Sequence, residues 1–468
     1  MTFASLEFLF FFMPAFFVLY YAWGNKHWRN LLLFVGSVAF YSWGEPVFVL
    51  LMLGSVLLNY LLARGMAASA EKGASKAWLV VGVVANLGML GVFKYTNFVL
   101  QTVGSLAHAS FPKLDLPLPL GISFYTFQAL AYLIDLYRGE YEVQKNPFKL
   151  ALAIANFSTI TAGPILRYKM MREQLDERPI VFADAADGLR RFCVGMGKKI
   201  LIANNVAFIA DRVFSHGPAQ YGAIGAWIGA LAWTLQIYFD FSGYSDMAIG
   251  LGKMMGFRYP ENFNYPYVAS SVSDFWRRWH MSLSSFFRDY VYIPLGGNRV
   301  SQLRWVLNMG AVWALTGLWH GANWTFVAWG VYYGVMLMLE KFFLSGWLAK
   351  LPRFVSHAYT LLVVIVGWVF FMSPTITGAG QVLGAMVGLS GSGLATTFVM
   401  MRIVQPVYIV VFVAAIIGSV PWYKAPWLRL TERPVLGWFL DLGGVAVIAL
   451  SAVMMVVGSF SPFLYFKF

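Results

Sequence analysis

The sequence predicts an all-α, polytopic integral membrane protein, and three observations carry that prediction. Of 468 residues, 59% are hydrophobic and 12% charged, whereas an ordinary soluble domain carries roughly 25% charged residues. A chain so poor in charge has no means of covering itself with a water-compatible surface. Uncharged apolar stretches recur from Phe8 to Tyr465, separated by short charged segments, as repeated bilayer crossings require. The 18 Trp and 24 Tyr suit the two headgroup zones, where a ring has one end in lipid and the other in water; core packing also uses such residues. No soluble domain interrupts the pattern, so 1–468 reads as a single integral membrane domain.

The formal net charge of +13 would raise the question of nucleic acid in a soluble protein. In a membrane chain Lys and Arg collect in cytoplasmic loops and fix orientation, so membrane lipid, not nucleic acid, is the partner that this charge implies. The one cysteine, Cys193, excludes an intramolecular disulfide and any multi-cysteine metal site. The N-terminal run has no Lys or Arg before it and no small-residue cleavage pattern after it, and reads as a first span instead of a removable signal.

Along the chain, the run Phe8 to Trp23 is followed by Lys26, His27 and Arg29. Leu31 to Ala63 is interrupted by Gly44-Glu45-Pro46, a tight break between two spans. Further runs cover Ala77 to Phe93 and about Leu118 to Leu136. Reading basic loops as cytoplasmic places Lys26 to Arg29, Arg64 to Lys76 and Arg138 to Lys149 inside, with Glu45 and Lys113 outside. Leu150 to Leu166 then has cytoplasmic flanks on both sides, the second being a charged loop from Arg167 to Lys199. It reads as a re-entrant element, tolerated only where protein or a wet cavity surrounds it. Ile200 to Phe214 and Tyr221 to Phe239 follow, then a cytoplasmic stretch from Lys253 to Arg304. Trp305 to Leu339 is uncharged and about 50 Å long as straight helix, far beyond a bilayer core of about 30 Å. It must break, and Gly317 and Gly321 bracket the place. The tail adds runs near Phe354 to Met372, Thr397 to Val420 and Leu442 to Phe460, with Lys424, Arg429 and Arg433 between the last two. The total is about 11–13 spans.

Polar groups inside lipid are costly and point to function. Six histidines occur, and His27, His108, His216 and His357 fall in loops or near span ends. His320 instead lies within the uncharged run, in Thr316-Gly-Leu-Trp-His-Gly-Ala-Asn-Trp324, where small residues permit close approach. An imidazole there is suited to take a proton from an attacking hydroxyl, or is a core histidine bonded to a carbonyl. A second cluster runs from Ser271 to Tyr290. As a helix it would put Trp276 and His280 on one face and pair Asp274 with Arg278. It is either an interfacial amphipathic helix or a cationic mouth for an anionic donor such as a CoA diphosphate, with Arg277, Arg278 and Arg288 as ligands. A third segment, Tyr238 to Gly252, places Asp240 and Asp246 at the end of a span. Helix capping at Asp240 or Ser242 is the plainer account there, and a cation or acid/base site the alternative. No P-loop, metal-ligand spacing or nucleophile elbow occurs.

Together, FDFSGYSDMAIGLGKMMGFRYPENF (239–263), DFWRRWHMSLSSFFRDYVYIPLGGNR (274–299) and GLWHGANWTFVAWG (317–330) resemble the bacterial polysaccharide-acetylating branch of the membrane-bound O-acyltransferase family. ISFYTFQALAYLIDLYRG (122–139) and AGPILR (162–167) fit the same branch. The resemblance implies a catalytic core over about residues 100–345, with C-terminal transmembrane helices over 350–468. It implies a central funnel or tunnel, His320 as the catalytic histidine inside the membrane, and His280 as its partner nearer the cytoplasm. Trp319, Asn323 and Asp246 become channel-lining candidates. It further implies acetyl-CoA as donor with no bound cofactor or metal, a bacterial inner-membrane location, and periplasmic acetyltransferase proteins that complete transfer onto alginate, cellulose or a similar exopolysaccharide. The rivals are the branch that exports D-alanine onto teichoic acid and, outside enzymes, a polytopic transporter or flippase.

Overall fold

The computed structural model describes the chain except residues 70, 162, 216–221, 390–404, 424–433, 459–462 and 465–468. His216, the start of the Thr397 run, the end of the Leu442 run and the basic residues Lys424, Arg429 and Arg433 therefore lie outside the described residues. Those described are helical or irregular, with no strand among them. This follows from the solvent, because helices satisfy every backbone N–H and C=O within one segment. Among the described residues, seven helices are long and apolar enough to cross a membrane: Phe48–Ala68, Lys72–Ala107, Phe182–Phe214, Gly222–Met254, Trp324–Leu348, Arg353–Met372 and Gly437–Val457. Phe8–Ala22, Pro147–Ile160 and Pro406–Gly418 are shorter apolar helices.

The helices divide between two compact units. In the first, Met1–Phe192 with Met247–Pro260, a cluster of rings from Phe8, Phe12, Phe16, Phe40 and Phe157 fills the core. Helices Phe48–Ala68 and Lys72–Ala107 are joined by a reciprocal amide pair, Asn59 Nδ2 to Asn86 Oδ1 at 3.1 Å and Asn86 Nδ2 to Asn59 Oδ1 at 2.8 Å. Such polar contacts hold helices together where lipid offers no hydrophobic drive. The expected start at Leu118 moves to Ile122, because Gly121 adopts φ 72° and a Cβ there would meet the Ile160 carbonyl oxygen at 2.3 Å.

The run expected to be re-entrant folds as two short helices, Pro147–Ile154 and Phe157–Ile160, broken at Asn156. Its backbone there is buried in protein. Asn156 Oδ1 accepts from the Ser158 N–H and Oγ, and its Nδ2 donates to the Tyr259 hydroxyl. By contrast, the charged loop expected from Arg167 to Lys199 is largely helix. Tyr168–Asp176 and Phe182–Met196 form, and the second continues through the π-helical turn Gly197–Ala203 into Asn204–Ser215. Asp184, Asp187 and Arg190 of this helix occupy one side, where Arg190 pairs with Asp187 and Lys253 bridges Asp184 and Asp187. Phe192 and Met196 are buried on the other.

In the second unit, Cys193–Asp246 with Glu261–Phe468, the long uncharged run breaks where expected. Gln302–His320 ends at Gly321 and Trp324–Leu339 begins after Asn323, whose side chain accepts from the Thr325 N–H at 3.1 Å. The two helices pack closely as a hairpin. A Cβ at Gly317 would lie 2.3 Å from the Phe326 carbonyl oxygen, and one at Gly330 would lie 2.3 Å from that of Trp313. Glycine at both points is what permits the approach.

Candidate active site

His320 is the last residue of its helix and is buried among Trp319, Trp329 and Phe371, at ring separations of 4.9, 4.9 and 5.2 Å. His280 is reached differently. The Val272–Arg278 helix stops two residues before it, and His280 itself takes φ 43°, ψ 55° before Met281–Phe287 begins. Trp276 and His280 therefore do not share the helical face that their spacing suggested, because the left-handed turn at His280 interrupts the helix. A left-handed backbone at a residue other than glycine carries strain, and such strain concentrates at functional sites.

The turn carries two further backbone bonds, Met281 N–H to Asn262 O and Asn264 N–H to Arg278 O, both 3.0 Å. His280 is buried, with Phe241 edge-on at 4.7 Å. Burial pushes its pKa down to about 3, so at neutral pH the ring is an uncharged imidazole. Trp319 joins the two histidines, 5.9 Å from the His280 ring and 4.9 Å from that of His320. Trp329 extends the same wall to Trp276 at 5.4 Å.

The three arginines separate. Arg278 Nε pairs with Asp274 at 3.0 Å, as its spacing predicts, and Arg288 pairs with Asp289 at 2.7 Å. Arg277 is exposed and lines an open cavity of about 710 Å³ with Lys341, Arg353, Ser273, Trp305 and Leu337. Glu340 also lines this cavity; its buried carboxylate caps the Val272–Arg278 helix, accepting from Val272 N–H at 2.5 Å and Ser273 N–H at 3.0 Å. It thereby anchors the segment that leads to His280.

Asp240 and Asp246 lie inside the Gly222–Met254 helix and not at its end, which corrects the capping account. Each has a lysine partner instead, Lys199 at 2.5 Å for Asp240 and Lys198 at 2.6 Å for Asp246. The second oxygen of Asp240 accepts the Leu464 N–H at 2.8 Å. Asn323 is occupied as a helix cap and by a bond to the Pro374 carbonyl. No group of His, Cys, Asp and Glu among the described residues is arranged to hold a metal.

The sequence reading missed Asn262, Glu340, Lys199 and Trp329. Lys199, at the edge of an apolar run, carried the signal of a cation needing a buried partner. The other three become visible only when the chain folds back.

The chain thus combines long apolar helices with two buried histidines gathered around one tryptophan. The profile of the membrane-bound O-acyltransferase family matches residues 145–379. The chain is 43% identical to the probable alginate O-acetylase AlgI of Pseudomonas aeruginosa over 82% of its own length and 75% of that protein's. It is 36% identical to a peptidoglycan O-acetyltransferase of Helicobacter pylori over 83% and 80%. To a teichoic acid D-alanyltransferase of Bacillus subtilis it is 31% identical over 53% and 65%. The chain belongs to the membrane-bound O-acyltransferase family and is a multi-pass membrane acyltransferase.

Proposed function

We propose that the protein takes acetyl from cytoplasmic acetyl-CoA and passes it across the bacterial inner membrane, where periplasmic acetyltransferase proteins place it on a secreted polysaccharide, alginate or cellulose. The observation that carries this reading is the His280–Trp319–His320 array, two buried imidazoles joined through one indole. An acceptor hydroxyl gives its proton to the His320 imidazole while its oxygen bonds to the acetyl carbon. The carbon–sulfur bond breaks, and the departing thiolate takes the proton to leave as the thiol.

The donor phosphates meet the cavity of Arg277, Lys341 and Arg353, which joins three cations to an apolar wall. Arg278 and Arg288, each held by its own carboxylate, serve as anchors. A polar path is supported by Gln236 Oε1, Ser242 Oγ and Ser245 Oγ, buried on one helix with no hydrogen-bond partner, since buried polar groups are ordinarily satisfied. Peptidoglycan is the competing acceptor, favoured by the likeness to the Helicobacter enzyme.

His320→Gln should abolish polysaccharide acetylation and leave protein level and membrane insertion intact. Near-normal acetylation in that variant refutes the assignment. Acetyl found on peptidoglycan, and not on secreted polymer, moves the acceptor.

A further inference from the structure

We infer that Asn262 is a positioning residue that fixes the tautomer of His280, holding its proton on Nδ1 and leaving the lone pair on Nε2. The inference rests on the reading that His280 takes part in acyl transfer. Its starting point is the buried side-chain oxygen of Asn262, which meets three groups: Ser282 N at 3.2 Å, Ser282 Oγ at 2.9 Å and His280 Nδ1 at 3.1 Å. The two ends of an amide have nearly the same shape, and it is the chemistry of the neighbours that tells them apart. The backbone N–H of Ser282 only donates, so the atom facing it is the amide oxygen. A reversed amide would aim N–H at N–H.

An amide oxygen only accepts. The contact with His280 Nδ1 is therefore a hydrogen bond only when Nδ1 carries the proton. A neutral imidazole has one ring proton, so Nε2 is left as the basic nitrogen, and proton transfer at His280 runs through Nε2. Asn262 is itself held in place, because its carbonyl accepts the Met281 N–H at 3.0 Å. One residue thus clamps the left-handed turn through its backbone and sets the tautomer through its side chain. A group that orients a histidine from behind acts on reactivity without touching substrate.

The test uses full-length protein with ¹⁵N-labelled histidine in lipid nanodiscs, the His280 signals being identified by their loss in His280→Gln. Wild type should show a protonated Nδ1 and a bare Nε2. In Asn262→Ala that signal should give way to a mixture of tautomers, and turnover at saturating donor should fall roughly 10- to 100-fold, the scale at which histidine-orienting partners act, with donor KM unchanged. Asn262→Asp, which keeps an acceptor in place, should keep the wild-type tautomer. A bare Nδ1 in wild type overturns the inference whether or not any variant folds, and so does an Asn262→Ala spectrum with the tautomer unchanged. Normal acetylation by His280→Gln would instead refute the catalytic reading while the tautomer assignment stood.

Discussion

The Lys199–Asp240 pair shows what a single buried charge costs in this molecule. Both side chains are essentially inaccessible, and the carboxylate divides its oxygens between the ammonium and the Leu464 N–H. Removing one partner strands the other, at about 3–5 kcal/mol, whereas replacing both by apolar residues is often neutral. Asp240→Asn and Lys199→Met should each lower the thermal unfolding midpoint of the purified protein sharply, and the Lys199→Met, Asp240→Asn double variant, which keeps an acceptor for the Leu464 N–H, should recover most of the loss. Phe241, next to Asp240, stacks edge-on against His280, so the single variants should also lose activity. Additive loss in the double variant would mean that the two residues do not act as a pair.

At the scale of elements, the helix that presents Arg277 and Arg278 gives neighbouring residues different partners. Arg277 faces the cationic cavity while Arg278 is tied to Asp274. Arg277→Gln should therefore raise the donor KM several-fold with little change in turnover, because lost cation–phosphate contacts act on ground-state binding. Arg278→Gln should leave KM near normal and lower stability slightly, by less than about 1 kcal/mol for an exposed pair. Steady-state kinetics on purified protein separates the two, and equal KM changes would contradict the division.

The helical hairpin that turns after His320 was legible in the sequence, since a 35-residue uncharged run must break and Gly321 marked the place. The Asp274–Arg278 pair was legible from spacing alone. The shape around His280 was not, because a left-handed turn at a non-glycine residue has no local sequence signature. It is held by Asn262 and Asn264, well before it in the chain. Nor was the Phe182–Met196 helix legible, since charges aligned along one helical side read the same as a loop when counted in order.

For the whole molecule, the account depends on which membrane face each segment meets. The alternation of basic loops predicts Lys113 outside and Arg278 inside. Single cysteines at these positions in a Cys193→Ser background should differ toward an impermeant thiol reagent applied to intact cells after outer-membrane permeabilisation: Lys113→Cys reacts and Arg278→Cys does not. The reverse pattern would turn the Arg277 cavity away from cytoplasmic donors. The measurement closest to the central claim is transfer itself, in sealed right-side-out membrane vesicles with labelled acetyl-CoA trapped inside and the polysaccharide and periplasmic partner outside. The account predicts label on the external polymer with wild-type protein and none with His320→Gln at equal protein level. Label transferred equally well by His320→Gln would contradict it.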